Sequence, residues 1–125
     1  MEKNFLVTMQ SYEIKDTKAW RVNITNISNA VLNLNTWGFV FDQKCVIDGF
    51  LLKRANGLGE KVPTEIYPDE TKSFYINKDS LNLSLKDGLE KNLISKNSNV
   101  SLYLKEKSKE QKLVKLTITV KDLLI

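Results

Sequence analysis

Ala19-Trp20-Arg21-Val22-Asn23-Ile24-Thr25-Asn26 places Trp20, Val22 and Ile24 on one face of an extended chain and Arg21, Asn23 and Thr25 on the other. A period of two with apolar residues on a single side predicts a half-buried β-strand. Upstream, Asn4 to Ile14 reads as a second extended segment, and the polar Asp16-Thr17-Lys18 between them supplies a turn. The two segments are expected to form a hairpin.

Downstream of the turn-like Asn26-Ile27-Ser28-Asn29, residues Val31 to Phe41 carry Leu32 and Leu34 in one phase and Trp37, Phe39 and Phe41 in the other. A bulge near Asn35 to Gly38 is the simplest cause of the flip, because one extra residue moves later side chains to the opposite face, and a strand buried on both faces is the alternative. Cys45 to Leu52 predicts a strand interrupted at Asp48-Gly49, and Asn56 to Glu60 is the most loop-like stretch. Val62 to Glu70 leads to Ser73 to Ile76, and Pro68-Asp69-Glu70 has proline where a type I turn wants it, with a short strand on either side of that turn. Asp79 or Ser80 is placed to cap one or two helical turns bearing Leu81, Leu85 and Leu89, the favoured reading, although Leu81, Leu83 and Leu85 also alternate as in a strand. Finally Asn99 to Leu104 and Leu113 to Val120 alternate cleanly around a charged tip, Lys105 to Lys112, and predict a hairpin.

Short strands, short turns and little helix fit an all-β fold, an antiparallel sandwich of seven or eight strands with at most one short helix. A small β-barrel is the alternative. The order Asn-Ile-Ser-Asn, Trp-Gly-Phe-Val-Phe, Pro-Thr-Glu-Ile-Tyr-Pro-Asp-Glu and Phe-Tyr-Ile, over residues 19 to 76, resembles small prokaryotic immunoglobulin-like domains. In those a Pro-rich turn precedes an inward aromatic residue. Here Asp69 stands where a glycine often follows that proline, and there is no cysteine pair. The resemblance implies an immunoglobulin-like β-sandwich and no activity.

The 125 residues match one ordinary core, so residues 1 to 125 are expected to form one domain. With 42% hydrophobic and 27% charged residues the composition is that of a folded chain. No apolar run approaches a membrane span and no secretory leader is visible, so a soluble, cytoplasmic protein is expected. The lone Cys45 fits a reducing compartment. Asn-x-Ser/Thr triplets at Asn23, Asn26, Asn82 and Asn99 read as accidents of a Lys- and Asn-rich composition, suited to an A/T-rich bacterial or phage genome. Residues 86 to 125 carry nine basic and five acidic side chains, the whole of the net +4, while the first 85 residues balance. A local basic excess hints at an anionic partner, although it also serves solubility.

The chain has no histidine, which removes Ser-His and Cys-His catalysis and His-based zinc sites. One cysteine cannot build a four-thiolate site, and Cys45 beside Val46 and Ile47 reads as an inert buried thiol. Asp42, Asp48, Asp69 and Glu70 lie in or near loops and read as turn-forming and solvated carboxylates rather than a glycosidase pair or a calcium loop. Gly57 and Gly59 lack the Lys-Ser/Thr and following helix of a phosphate-binding loop. No catalytic residue, metal ligand or cofactor is therefore expected, and the chain does not read as an enzyme.

Trp20 shares its phase with Val22 and Ile24 and is expected in the core. Trp37, Tyr67, Tyr75 and Tyr103 are the candidate partner-binding residues, since exposed aromatic side chains suit protein interfaces. The expected function is a non-enzymatic interaction module, a phage or mobile-element accessory protein that binds another protein or self-associates through a sheet edge or face. The alternative is a single-stranded nucleic-acid binder on a small β-barrel. In that case Lys105, Lys107, Lys109 and Lys112 contact phosphates and Tyr103 stacks on a base. A carbohydrate-binding module using Trp37 is the third reading.

Overall fold

The computed structural model describes residues 4–49 and 52–124. Strands β1 (Phe5–Ile14) and β2 (Thr17–Asn26) pair antiparallel without a break, from Ile14 opposite Thr17 to Phe5 opposite Asn26. Lys15 and Asp16 alone make the connection, with φ of 45° and 66°. Two left-handed residues in a row mark a type I′ turn, whose twist matches that of the strands it joins. The turn thus lies one residue earlier than expected, and Thr17 and Lys18 already belong to β2.

The remaining elements are β3 (Leu32–Phe41), β4 (Cys45–Asp48), β5 (Arg54–Gly59), β6 (Thr64–Ile66), β7 (Thr71–Asn77), α1 (Lys78–Glu90), β8 (Asn99–Glu106), β9 (Lys112–Thr119) and α2 (Val120–Leu123). One sheet has the order β1-β2-β7-β5 and the other β4-β3-β8-β9, with β6 pairing the first part of β3 beside β4. All pairings are antiparallel. This is an all-β sandwich of two sheets. Among the described residues the sheets do not close into a barrel, because β1 and β9, whose pairing would join them, share no ladder.

In β3, Leu34 lies opposite Glu106 of β8 and Thr36 opposite Lys105, leaving Asn35 as an extra residue. That is the expected bulge, and it keeps Leu32 and Leu34 before it and Trp37, Phe39 and Phe41 after it in the buried core. Against them pack Val22, Ile24, Phe74 and Ile76 of the first sheet and Val100, Leu102 and Leu104 of β8. Trp37 joins the two layers: its ring centre is 5.7 Å from Phe39 and 5.6 Å from Phe74 of the opposite sheet. Trp20 is half-buried at the margin, with Lys78 Nζ 4.3 Å from its ring centre on one side.

Several expectations need correction. Residues 56 to 60 are not simply a loop, since β5 runs through them as far as Gly59 and pairs irregularly with β7, Arg54 opposite Ile76 and Gly59 opposite Phe74. Arg54 braces this strand by donating to the carbonyls of Leu58 and Gly59, both at 3.1 Å. The helix is longer than one or two turns, and its cap is Asn77, whose side chain accepts the N–H of Ser80 at 3.0 Å. Leu81 and Leu85 face the core while Leu83 is 71% exposed, which is helical spacing and not strand alternation. A second helix was not expected: the Asp122 carboxylate accepts the Thr119 N–H at 2.9 Å and turns the chain, so Val120 begins α2 instead of ending β9. The described residues contain nine strands, not seven or eight. At Pro68-Asp69 the φ of 66° at Asp69, with the Glu70 N–H on the Tyr67 carbonyl at 2.9 Å, is that of a type II turn rather than type I. Two of the Asn-x-Ser/Thr triplets lie inside the fold, since Asn26 and Asn82 are buried.

Candidate interaction surface

The residues singled out in the sequence do not gather at one place. Trp37 is 4% exposed and belongs to the core, so it offers no flat platform to a sugar. Tyr103 is buried as well: it crosses Gly38 and donates its hydroxyl to Asp48 Oδ1 on β4. Burial first, and the hydrogen bond to Asp48 second, push its hydroxyl up to about 12. Tyr67 is 52% exposed beside the turn, with its hydroxyl on Glu65 Oε2 at 2.8 Å. The Glu65 carboxylate accepting that hydrogen bond holds the Tyr67 hydroxyl above its ordinary range.

The basic tip folds back on itself. Lys105 Nζ donates to the carbonyls of Glu106, at 3.1 Å, and Lys109; Lys109 pairs with Glu106 at 3.3 Å; and Lys112 Nζ stands 5.1 Å from the Phe5 ring centre. Lys107 is exposed. With Tyr103 buried, the hairpin brings no aromatic face beside these ammonium groups.

The acidic residues are similarly engaged. Asp42 accepts the Asn99 N–H at 2.9 Å, and hydrogen bonds from Ser98 and then Asn99 hold its carboxyl below the ordinary range. Glu70 accepts the Tyr67 N–H at 3.0 Å. Cys45 is half-buried against the core rather than fully enclosed. Among the described residues no group of three His, Cys, Asp or Glu side chains is placed to hold a metal ion, and no helix is long and apolar enough to cross a membrane.

Tyr75 leads to a different surface. On the outer face of the first sheet, Tyr75 and Tyr12 meet with ring centres 5.2 Å apart, and Arg21 lies 5.7 Å above Tyr75. Ala19, opposite both Tyr12 and Asn77, carries only a methyl group, and this lets the rings close over β2. Polar bonds continue the face: Thr25 to Thr71 at 2.6 Å, Asn23 to Thr8 at 3.1 Å and Ser73 to Asn23 at 2.6 Å.

Tyr12 belongs to β1, which ends that sheet. The Asn4 carbonyl accepts the Ile27 N–H at 2.9 Å, so by the alternation of an antiparallel ladder the even-numbered residues of β1 bond to β2. The N–H and C=O groups of Phe5, Val7, Met9, Ser11 and Glu13 therefore point outward. No charged side chain occurs from Phe5 to Tyr12, and no bulge interrupts the pairing with β2. Leu6 is 46% and Tyr12 38% exposed beside this open row. The other edges are guarded: β9 carries Lys112 and Lys115, β5 is irregular and braced by Arg54, and β4 and β6 are short. A groove of about 910 Å³ opens between the start of β1 and β9, lined by Phe5, Val7, Lys112, Val114, Leu116 and Ile118 among others, with no carboxylate side chain.

No protein-family model matches the chain, and no curated protein matches it. Among solved structures it is similar to one described as "Crystal structure of protein from Archaeoglobus fulgidus". The likeness has 10% sequence identity and a TM-score of 0.34, over 90% of this chain and 97% of that one, too loose a superposition to carry an inference.

Proposed function

We propose that the chain is a non-enzymatic, immunoglobulin-like interaction module that takes a protein partner onto the β1 edge as an added strand. The open, regular edge of β1, uncharged from Phe5 to Tyr12, carries this reading, because unpaired main-chain groups on a flat strand are a template for another strand. The immunoglobulin-like assignment draws support from strand order. Naming the strands A to G in chain order, with β4 as C′ and β6 left out, the sheets become A-B-E-D and G-F-C-C′, the constant-type arrangement with one added strand. The Lys- and Asn-rich composition suits a phage or mobile-element accessory protein, and the unpaired Cys45 suits the cytoplasm.

A photo-reactive amino acid replacing Tyr12, compared with the same replacement at Leu83 on α1, tests this reading in extracts of the source cells. Protein crosslinks from position 12 and none from position 83 are expected. Their absence at position 12 overturns the proposal. The competing nucleic-acid reading is separated by titration with labelled single-stranded DNA and RNA at about 50 and 200 mM salt. No binding is expected, since Tyr103 is buried and most of the tip lysines are engaged by the chain itself.

A further inference from the structure

We infer that the strand added at β1 is β1 of a second copy, running antiparallel about a twofold axis through Met9. This rests on the edge-pairing reading above and names its partner. Antiparallel self-pairing joins outward-pointing residues to outward-pointing residues, and a centre at Met9 is the register that engages all of them: Met9 with Met9, Val7 with Ser11, Phe5 with Glu13.

Three features of the chain favour its own copy in this register. No like charges meet along the seam, because Phe5 to Tyr12 is uncharged and Glu13 falls opposite Phe5, whereas the β9 edge carries Lys112 and Lys115. On the outer face, the twofold sets exposed Leu6 opposite exposed Tyr12, so each covers apolar surface that the single copy leaves in water. On the inner face, Glu13 comes opposite Phe5 of the second copy, whose ring has Lys112 Nζ 5.1 Å away. The axis repeats that juxtaposition, giving a carboxylate and an ammonium group at both ends of the seam. The product is one continuous sheet across two molecules, with main-chain hydrogen bonds in place of two open edges.

Sedimentation velocity of the full chain between about 5 and 200 µM tests the proposal. The wild type is expected to pass from monomer to dimer over this range. Glu13→Lys should weaken the dimer about tenfold by opposing lysines at both ends, Glu13→Lys combined with Lys112→Glu should restore it, and Leu6→Asp should weaken it. All three changes lie on exposed side chains, and circular dichroism checks that each variant folds. A wild type that stays monomeric overturns the inference, as does a dimer indifferent to Glu13→Lys and Leu6→Asp. If position 12 still crosslinks to a different protein, the edge-pairing reading stands and only the identity of the partner fails.

Discussion

Tyr103 fills the space over Gly38 in which every other amino acid would carry its Cβ. The two residues are direct neighbours on β8 and β3, and Gly38 in turn lies opposite Asp48 on β4. Because the middle position of this row has no side chain, the phenol crosses a whole strand to reach the Asp48 carboxylate. A Cβ at Gly38 would run into the Tyr103 ring and stand 2.6 Å from the Ile47 carbonyl oxygen.

Gly38→Ala is accordingly expected to destabilise the fold by about 1–3 kcal/mol, since either the ring or β4 must move. Urea unfolding followed by tryptophan fluorescence measures this loss. An unchanged midpoint would mean that the row relaxes freely.

The Tyr103 hydroxyl gives a prediction in the alkaline range. Its folded value, about 12, exceeds the ordinary 10, so its contribution to stability is complete below pH 10 and is lost as pH rises through 12. Tyr103→Phe should lower stability by about 0.5–1.5 kcal/mol at pH 7 and flatten the decline between pH 10 and 12. Chemical unfolding of both proteins at pH 8, 10 and 11.5 compares the slopes.

Glu106 gives the acidic counterpart. Burial alone would raise its carboxyl, but the Asn33 N–H at 2.8 Å, then Lys109 and Lys112, outweigh burial and hold it below the usual range. A lowered value adds stability above pH 4.5 that disappears as pH falls through the folded value. Glu106→Gln should cost about 1–2 kcal/mol at pH 7, with the difference from the wild type shrinking as pH falls below 4.5. A difference that stays constant into the acidic range would contradict this.

Asn26 ties three segments together at the end of β2. Fully buried, it donates to the carbonyls of Ala30 and Ile66, both at 2.8 Å, and accepts from the N–H of Ser28 at 3.0 Å and its hydroxyl at 2.7 Å. Asn26→Ala takes the side-chain partner from the Ile66 carbonyl and the Ser28 N–H, while the Ser28 hydroxyl and the Ala30 carbonyl keep each other at 3.0 Å, and is expected to cost about 2–4 kcal/mol in thermal or urea unfolding. Asn29→Ala, on an exposed neighbour, should change stability by less than about 0.5 kcal/mol.

The hairpins and the bulge in β3 were readable because alternation is a local property, written in residues two apart. β5 was not, since Asn56, Gly57 and Gly59 lack strand propensity and the strand is held by the reach of Arg54 to Leu58 and Gly59. The α2 turn depends on one carboxylate, Asp122, three residues beyond Thr119, a signal short enough to pass for continued strand. Tyr103 alternates out of phase with Leu102 and Leu104 and so looked exposed, but its cover comes from Gly38 and Asp48, far away in the chain. Asn26 was visible only as part of a polar turn. At the candidate edge, the uncharged run from Phe5 to Tyr12 is plain in the sequence, while the position of β1 at the margin of a sheet depends on which strand β2 pairs with next.

The order of the strands also governs how the molecule comes into being. The β1–β2 hairpin closes over two residues and needs nothing else, an event of roughly microseconds. By contrast β2 and β3, each an inner strand of its sheet, receive the inner strands β7 and β8 from the second half of the chain. A ribosome that has delivered only the first half has thus released two strands each with a vacant side. Until β7 and β8 follow, the nascent chain carries two further open ladders beyond the one that β1 keeps in the finished fold.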